Sequence, residues 1–249
     1  MSEKHYYEQR AHALSYLIPF FTRHLPELGK SKVLEVGCAE AGFLAALRQS
    51  GITDAAGLEL DPVRAEFASQ KNPDLQVIVG DIADARIVER VAGAFDLIVM
   101  RDVIEHIPDR TGAFRNLDRL LARGGHLYVT FPPRYSAFAG HQQHARSILR
   151  SIPFLHLLPK AMIRTLASML RESPELAENV IANYRVGLSI RCFERYCHLF
   201  DFEPVVRELF LVRPIYRTRF GLRPRRLPNI PLLREVAALG CEYLMRKRT

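Results

Sequence analysis

The polar and apolar positions of this chain change period several times, and the changes divide it into elements. Apolar and aromatic side chains recur at helical spacing over 5–25 and stop near Pro26. Beyond that point short strand-like runs alternate with helical ones. The pattern predicts strands over 32–36, 55–60, 75–79, 94–100 and 126–131. It predicts helices over 42–49, 62–70 and 109–122, the second opened by Pro62 and the third stopped by Gly124 and Gly125. The run 94–100 is almost wholly apolar, as expected of a strand buried on both faces. Alternating units of this length imply an α/β fold with a parallel, doubly wound sheet and right-handed crossovers. Such sheets bind ligands beyond the carboxyl ends of their strands, where the strand order reverses.

The alternation breaks over 134–185. Short helical pieces interrupted by Pro153, Pro159 and Pro174 make this stretch too long for a simple connection. It reads as a helical cap or lid inserted into a single domain, 1–249. Regularity returns with a helix at 189–200 and a strand at 203–212. A Pro- and Arg-rich loop (213–231), a short helix (232–238) and a last strand (241–246) follow.

Composition adds exclusions. At 48% hydrophobic and 25% charged residues, the chain has the means for a sizeable core and is neither disordered nor low in complexity. No apolar run reaches the length of a membrane span, and the first residues lack the apolar centre of a signal peptide. The expected location is therefore the cytoplasm. Cys38, Cys192, Cys197 and Cys241 have no CxxC spacing and read as free thiols. Charge is divided unevenly. Residues 1–118 carry a net −5 and residues 119–249 a net +13, together the +8 of the chain. No acid occurs from Arg119 to Arg171, nor from Leu209 to Arg234. The basic half is suited to an anionic partner, or is a solvated basic face.

The chemistry concentrates at strand ends. The first strand runs into Glu35-Val36-Gly37-Cys38-Ala39-Glu40-Ala41-Gly42, an acid followed by a turn of small residues and a helix. Small residues admit a ligand close to the backbone, and the helix start offers free N–H groups. The second strand ends at Glu59-Leu60-Asp61, the third at Gly80-Asp81-Ile82 and the fourth at Arg101-Asp102. A carboxylate at the second strand end suits ribose hydroxyls. The dinucleotide fingerprint Gly-x-Gly-x-x-Gly lacks its second glycine here, which counts against NAD.

The stretches VLEVGCAEAGFL (33–44), GLELD (57–61), GDI (80–82), FDLIVMRDVIEHIPD (95–109) and LLARGGHLYVTFPP (120–133) together resemble the class I S-adenosylmethionine-dependent methyltransferases of the small-molecule type. The resemblance covers about residues 30–133, and RCFERYCHLFDFEPV (191–205) is similar to the family's entry into a sixth strand. It implies a Rossmann-like sheet of seven strands, ordered 3-2-1-4-5-7-6, with the seventh antiparallel. By the same resemblance Glu35, Gly37 and Cys38 would line the methionine part of S-adenosylmethionine, with Ala39 in the turn. Glu59 would hold the ribose and Leu60 flank the adenine. Asp81 would bind the adenine amino group, Ile82 would pack on the ring, and Arg101 and Asp102 would close the fourth strand end. The family's glycine-rich turn is here Gly37-Cys38-Ala39-Glu40-Ala41. A positive φ at Ala39 or Ala41 would cost about 1 kcal/mol each.

A hydroxyl acceptor benefits from a base, and histidine is the side chain best matched to neutral pH. His106 follows the fourth strand. His141 follows the fifth, among Tyr135, Gln142 and Gln143, and is the favoured base with those three as orienting groups. Arg213 and Arg217 leave the sixth strand toward the same side and are expected to meet an anionic substrate. No HxxxH or paired-carboxylate spacing stands out, so no metal is expected. The favoured function is O-methylation of a small molecule or of a glycan- or lipid-linked, anionic intermediate. Contact with an anionic membrane at its inner face is a further reading of the basic, apolar cap. A nucleic-acid methyltransferase is the alternative, although no aromatic-interleaved basic platform supports nucleic acid. A non-catalytic membrane- or protein-binding module on the same fold is the third reading.

Overall fold

The computed structural model describes residues 3–91 and 93–248. The N-terminal segment is α1 (Glu3–His12), a π-helical turn (Ala13–Leu17) and α2 (Ile18–His24). The alternating region follows as β1 (Val33–Val36), α3 (Gly42–Gln49), β2 (Ala55–Glu59), α4 (Pro62–Lys71), β3 (Gln76–Val79), α5 (Ile87–Val91), β4 (Phe95–Arg101), α6 (Arg110–Leu120) and β5 (Leu121–Phe131). The cap holds three short 3-10 turns, α7 (Lys160–Met169) and α8 (Pro174–Val186). The chain closes with α9 (Ile190–Leu199), β6 (Phe202–Val212), α10 (Ile215–Phe220), β7 (Arg225–Arg226), α11 (Leu233–Ala237) and β8 (Gly240–Lys247).

One sheet takes all eight strands in the order β3-β2-β1-β4-β5-β8-β6-β7. The first five are mutually parallel, and β8 runs antiparallel between β5 and β6. The expected seven-strand order is present, with β8 as its antiparallel strand. The extra member is β7, two residues of the predicted loop that pair with the outer edge of β6. That loop also contains α10, which Gly221 ends in the left-handed conformation. The third predicted helix is shorter than its periodicity suggested. It ends at Leu120 because Leu121 already pairs with Phe95 of β4.

Apolar layers cover both faces, as a parallel sheet requires. On one face Phe114 of α6 is surrounded by Phe193, Tyr196, Phe200 and Phe202. On the other, Phe21 of α2 packs on Phe43 of α3 and Tyr128 of β5. The cap has a small core of its own, including Leu149, Leu155, Ile163 and Val180. It is tied to the sheet side by Arg110, which donates to the Val186 carbonyl, and by the Arg134 N–H on the Leu188 carbonyl. Of the four free cysteines, Cys192 is half-buried and the others are buried. Among the described residues no helix is long and apolar enough to cross a membrane.

The N-terminal helix is held across the start of α3. Gln9 Oε1 accepts from the Gly42 N–H at 3.2 Å, answering one of the free donors of that helix start. A Cβ on Gly42 would collide with the Tyr6 carbonyl oxygen and lie 2.8 Å from the Gln9 Cβ. We expect Gly42→Ala to push α1 off α3 and to lower stability by roughly 1–3 kcal/mol. Denaturant unfolding checks this, and an unchanged midpoint would show that the two helices do not depend on this close approach.

Candidate active site

The reversal of strand order falls between β1 and β4, and a cavity of about 370 Å³ opens there at the carboxyl ends of the strands. Its walls include Gly37 and Ala39 after β1, Glu59 and Leu60 at β2, Asp81 and Ile82 after β3, and Arg101 and Asp102 at β4. Each strand thus delivers its last residues to one place, because parallel neighbours in register end side by side.

The turn after β1 is left-handed three times, with φ of 72° at Gly37, 53° at Ala39 and 60° at Ala41. The alanines therefore sit where glycine would be unstrained. At Gly37 a Cβ would also collide with the Val103 side chain. Cys38 is buried and turned away from the cavity, its sulfur against Gly57, and burial pushes its thiol pKa up.

Glu59 is buried and organises the turn. Its Oε2 accepts from the Ala39 N–H at 2.8 Å and its Oε1 from the Asp61 N–H at 3.0 Å. A carboxylate has about four acceptor sites, so both oxygens retain capacity toward the cavity. Asp81 Oδ1 accepts from the Ala83 N–H at 2.8 Å. Leu60 stands 65% exposed on the cavity wall, an uncovered apolar face of the kind a flat base would cover.

Glu35 is fully buried behind this wall. Arg101 reaches its Oε1 with Nη2 at 2.5 Å and Nε at 3.1 Å, while Oε2 has no hydrogen-bond partner. Burial pushes the Glu35 carboxyl up to about 7, against the pull of Arg101. A buried carboxylate oxygen left open beside a left-handed small-residue turn fits a cationic ligand with a nucleoside part. This donor set fits S-adenosylmethionine: Glu59 would hold the ribose and Leu60, Asp81 and Ile82 the base, with Glu35 behind the wall on the cation's side.

Several wall residues carried no signal in the motifs. His5, Gln9, His12 and Leu17 come from the N-terminal segment. His5, Gln9 and His12 follow i, i+4, i+7 spacing, a polar stripe on an inward helix face that could have marked them. His5 Nδ1 meets Glu40 Oε2 at 2.5 Å, and Arg64 donates to the same oxygen at 3.0 Å. Burial alone would raise Glu40, but these two partners bring it down to about 2. His12 stacks on Tyr16 and is brought to about 3, by burial first and then by Arg101, Arg213 and Arg219. Glu242 of β8 also walls the cavity and accepts from the Tyr16 hydroxyl at 2.9 Å. Burial pushes Glu242 up to about 7.

The basic half reaches the cavity through Arg213 and Arg219. Arg213 is packed over Gly240 and donates to Asp102 Oδ1 at 2.5 Å. Burial would raise Asp102, but the Arg213 charge outweighs it and the carboxyl lies below its usual range. Arg219 donates to Glu8 at 3.1 Å. Arg217 is exposed and does not wall the cavity.

No residue of 134–185 is among the cavity walls, so the cap does not roof it as the sequence pattern led us to expect. The cap builds its core on itself and leaves the roof to the N-terminal helices. His106 does wall the cavity. His141 lies behind it, the rings edge to face with centroids 4.8 Å apart. Tyr135 is stacked beside Arg134, and Gln143 donates to the Phe138 carbonyl. Gln142 is fully buried and donates to the Ala137 and Ile152 carbonyls at 3.3 and 3.0 Å. These bonds fix the loop that carries His141.

Comparison with known proteins follows the same lines. Residues 6–173 match a family model described as a methyltransferase domain. The chain is 26% identical over 105 residues to the ubiquinone biosynthesis O-methyltransferase of Pseudomonas aeruginosa (strain UCBPP-PA14), covering 41% of this chain and 45% of that protein. It is 32% identical over 100 residues to phosphoethanolamine N-methyltransferase 3 of Arabidopsis thaliana, covering 40% of this chain and 20% of that one. The matches therefore span less than half the length of these two relatives. In fold it is similar to the plantazolicin methyltransferase BamL, solved in complex with a triazolic desmethylPZN analog and SAH. That match has a TM-score of 0.59 at 12% identity and covers 99% of this chain and 87% of the other. A SAM-dependent methyltransferase from Thermotoga maritima, a possible histamine N-methyltransferase, gives a TM-score of 0.55 at 15% identity over 96% and 89%.

Two titratable carboxylates make this site sensitive to pH. A cationic ligand favours ionised Glu35, so cofactor binding should tighten from about pH 6 to about pH 7.5. Glu35→Gln should weaken it on the order of tenfold and remove that trend. Calorimetry at several pH values reads both, and equal affinities in the two chains would remove Glu35 from the site. The Glu242 pKa lies above its ordinary value of 4.5, so its stabilising contribution is complete below that value and is lost as pH rises through about 7. Glu242→Gln should flatten this fall, a gain on the order of 3 kcal/mol at pH 8. Thermal unfolding from pH 5 to about pH 8 tests it; parallel curves for the two chains would contradict the prediction.

Proposed function

We propose that this chain, which belongs to the methyltransferase domain family of class I S-adenosylmethionine-dependent enzymes, transfers a methyl group to an oxygen of an anionic acceptor. The acceptor class is a small molecule or a glycan- or lipid-linked intermediate. The observation that carries the reading is the polarity of the cavity. One end is walled by strand-end carboxylates suited to a cationic nucleoside, and the other presents Arg213, Arg219 and His106 beside Asp102 and Glu242. The phosphoethanolamine N-methyltransferase relative, by its name, acts on a phosphorylated acceptor, which agrees with cations at the acceptor end.

When bound, S-adenosylmethionine supplies a methyl group on a positively charged sulfur. The chain's own contribution is positioning. Glu59 holds the turn and the ribose side in one frame through its bonds to Ala39 and Asp61. Arg101 keeps Glu35 in the wall. Asp102 fixes the Arg213 guanidinium at the acceptor end, leaving other donors of its fork for an anion. The N-terminal helices place Gln9, His12 and Leu17 on the cavity wall, where they would limit the access of water. A cofactor held there would supply the methyl carbon, with its sulfur keeping the electron pair, and His106 stands on the cavity wall where the acceptor's hydroxyl proton would pass to water. Holding the two partners in line supplies most of the acceleration.

The reading is tested with methyl-labelled cofactor and cell-extract fractions separated by charge, the product bond being located by mass spectrometry. We expect label in an anionic fraction, on oxygen. Label on nitrogen would overturn the acceptor atom, and label only in nucleic acid would favour that alternative. Arg219→Ala, at a partly exposed site, should raise KM for the acceptor roughly tenfold, with cofactor affinity unchanged. An unchanged KM would remove the anion from the proposal.

A further inference from the structure

Immediately beside the acceptor end lies a group of side chains that neither the turn nor the roof uses. Glu105 sits in the 3-10 turn Ile104–His106 that follows β4. It is only 4% exposed, and neither of its carboxylate oxygens has a hydrogen-bond partner. An unpartnered buried carboxylate is costly to keep, and such groups are as a rule paired or coordinated to a metal. Its neighbours are histidines. His106 Nε2 lies 3.8 Å from Glu105 Oε1, and the His141 ring meets His106 edge to face. One ligand atom from each of Glu105, His106 and His141 lies within 4.8 Å of the others. Ligands sharing one ion at about 2.1 Å lie roughly 3.4 Å apart in a tetrahedral site, so modest side-chain rotations close the set. Asp102 is already engaged by Arg213 and the Thr130 hydroxyl and is left out of the set.

We propose that Glu105, His106 and His141 bind a divalent first-row metal ion at the acceptor end of the cavity. Two imidazoles and one carboxylate suit such ions, and three protein ligands leave positions open, the arrangement of a catalytic site and not of a closed structural one. The sequence reading expected no metal, because the third ligand lies 35 positions downstream of His106 in a different element. The fixed loop described above brings it back: Gln142 anchors the loop, and Asn183 of α8 donates to the Gly140 carbonyl at 3.3 Å. Of the three, His106 lines the cavity; an ion held there would polarise a hydroxyl oxygen of the acceptor, whose proton would pass to water. This role, unlike the site itself, rests on the reading of the chain as an oxygen methyltransferase.

The test separates site from role. The full chain is treated with chelator and titrated with Mn²⁺ alone, the free-ion signal being followed by electron paramagnetic resonance. We expect one Mn²⁺ bound per chain. Glu105→Gln and His141→Ala should each weaken it roughly tenfold or more, with circular dichroism unchanged. Should one variant fail to fold, the other still decides. A free-ion signal throughout the titration, or equal binding in the folded variants, overturns the site. Methyl transfer is then assayed on the chelated chain with and without Mn²⁺. Stimulation supports the role; a full rate in chelator overturns it. Mn²⁺ binding without any methyl transfer, with or without the ion, supports the site and counts against the proposed function.

Discussion

Four neighbouring parallel strands bring acidic side chains to their shared carboxyl ends, Glu35 and Glu59 buried, Asp81 and Asp102 exposed, and holding these charges together is the constraint the surrounding structure answers. Glu35, Glu59, Asp81 and Asp102 are brought together by register alone. Buried charges need partners or they neutralise. The chain meets each case differently. Glu35 receives Arg101 from the adjacent strand, Glu59 receives backbone N–H groups, and Asp102 receives Arg213 from beyond the sixth strand. One oxygen of Glu35 and both of Glu105 are left without a hydrogen-bond partner.

The roof follows from the same turn. Three left-handed residues bend the chain sharply after β1 and expose the N-terminal donors of α3. Because Gly42 has no side chain, α1 can lie directly on that helix start and present Gln9 to it. His5 and His12, each one turn from Gln9 on either side, then fall over the cavity. The backbone strain of Ala39 and Ala41 is thus carried at the site where close approach is needed, a placement seen where strain serves a function.

The uneven charge of the chain acquires a geometry here. The acidic first half contributes the strand ends; among the described residues, the cations that the basic second half adds to the cavity wall are Arg213 and Arg219, beside Glu242. Arg217 and the cap's cations stay outside it. The cap, stabilised by its own core, meets the site through the histidine pair and not as a cover.

The sheet was legible in the sequence because its signal is local. Period, β-branched runs and turn residues each act over a few positions, and the strand-end acids stand next to them. The turn at Gly37 to Gly42 could be located in the same way, and the left-handed alanines follow from what such a turn demands. Less local features could not be read. The helix 109–122 lost its last residues to pairing with β4, and the Arg-rich loop acquired α10 and β7 from its position against β6. Only the tertiary structure decided which side chains share the cavity. Glu242 comes from the last strand, the roof from the first helix, and His141 from a loop whose anchors lie in the cap. Sequence spacing determines which face of an element a residue occupies. Packing between elements far apart in the chain determines what that face meets.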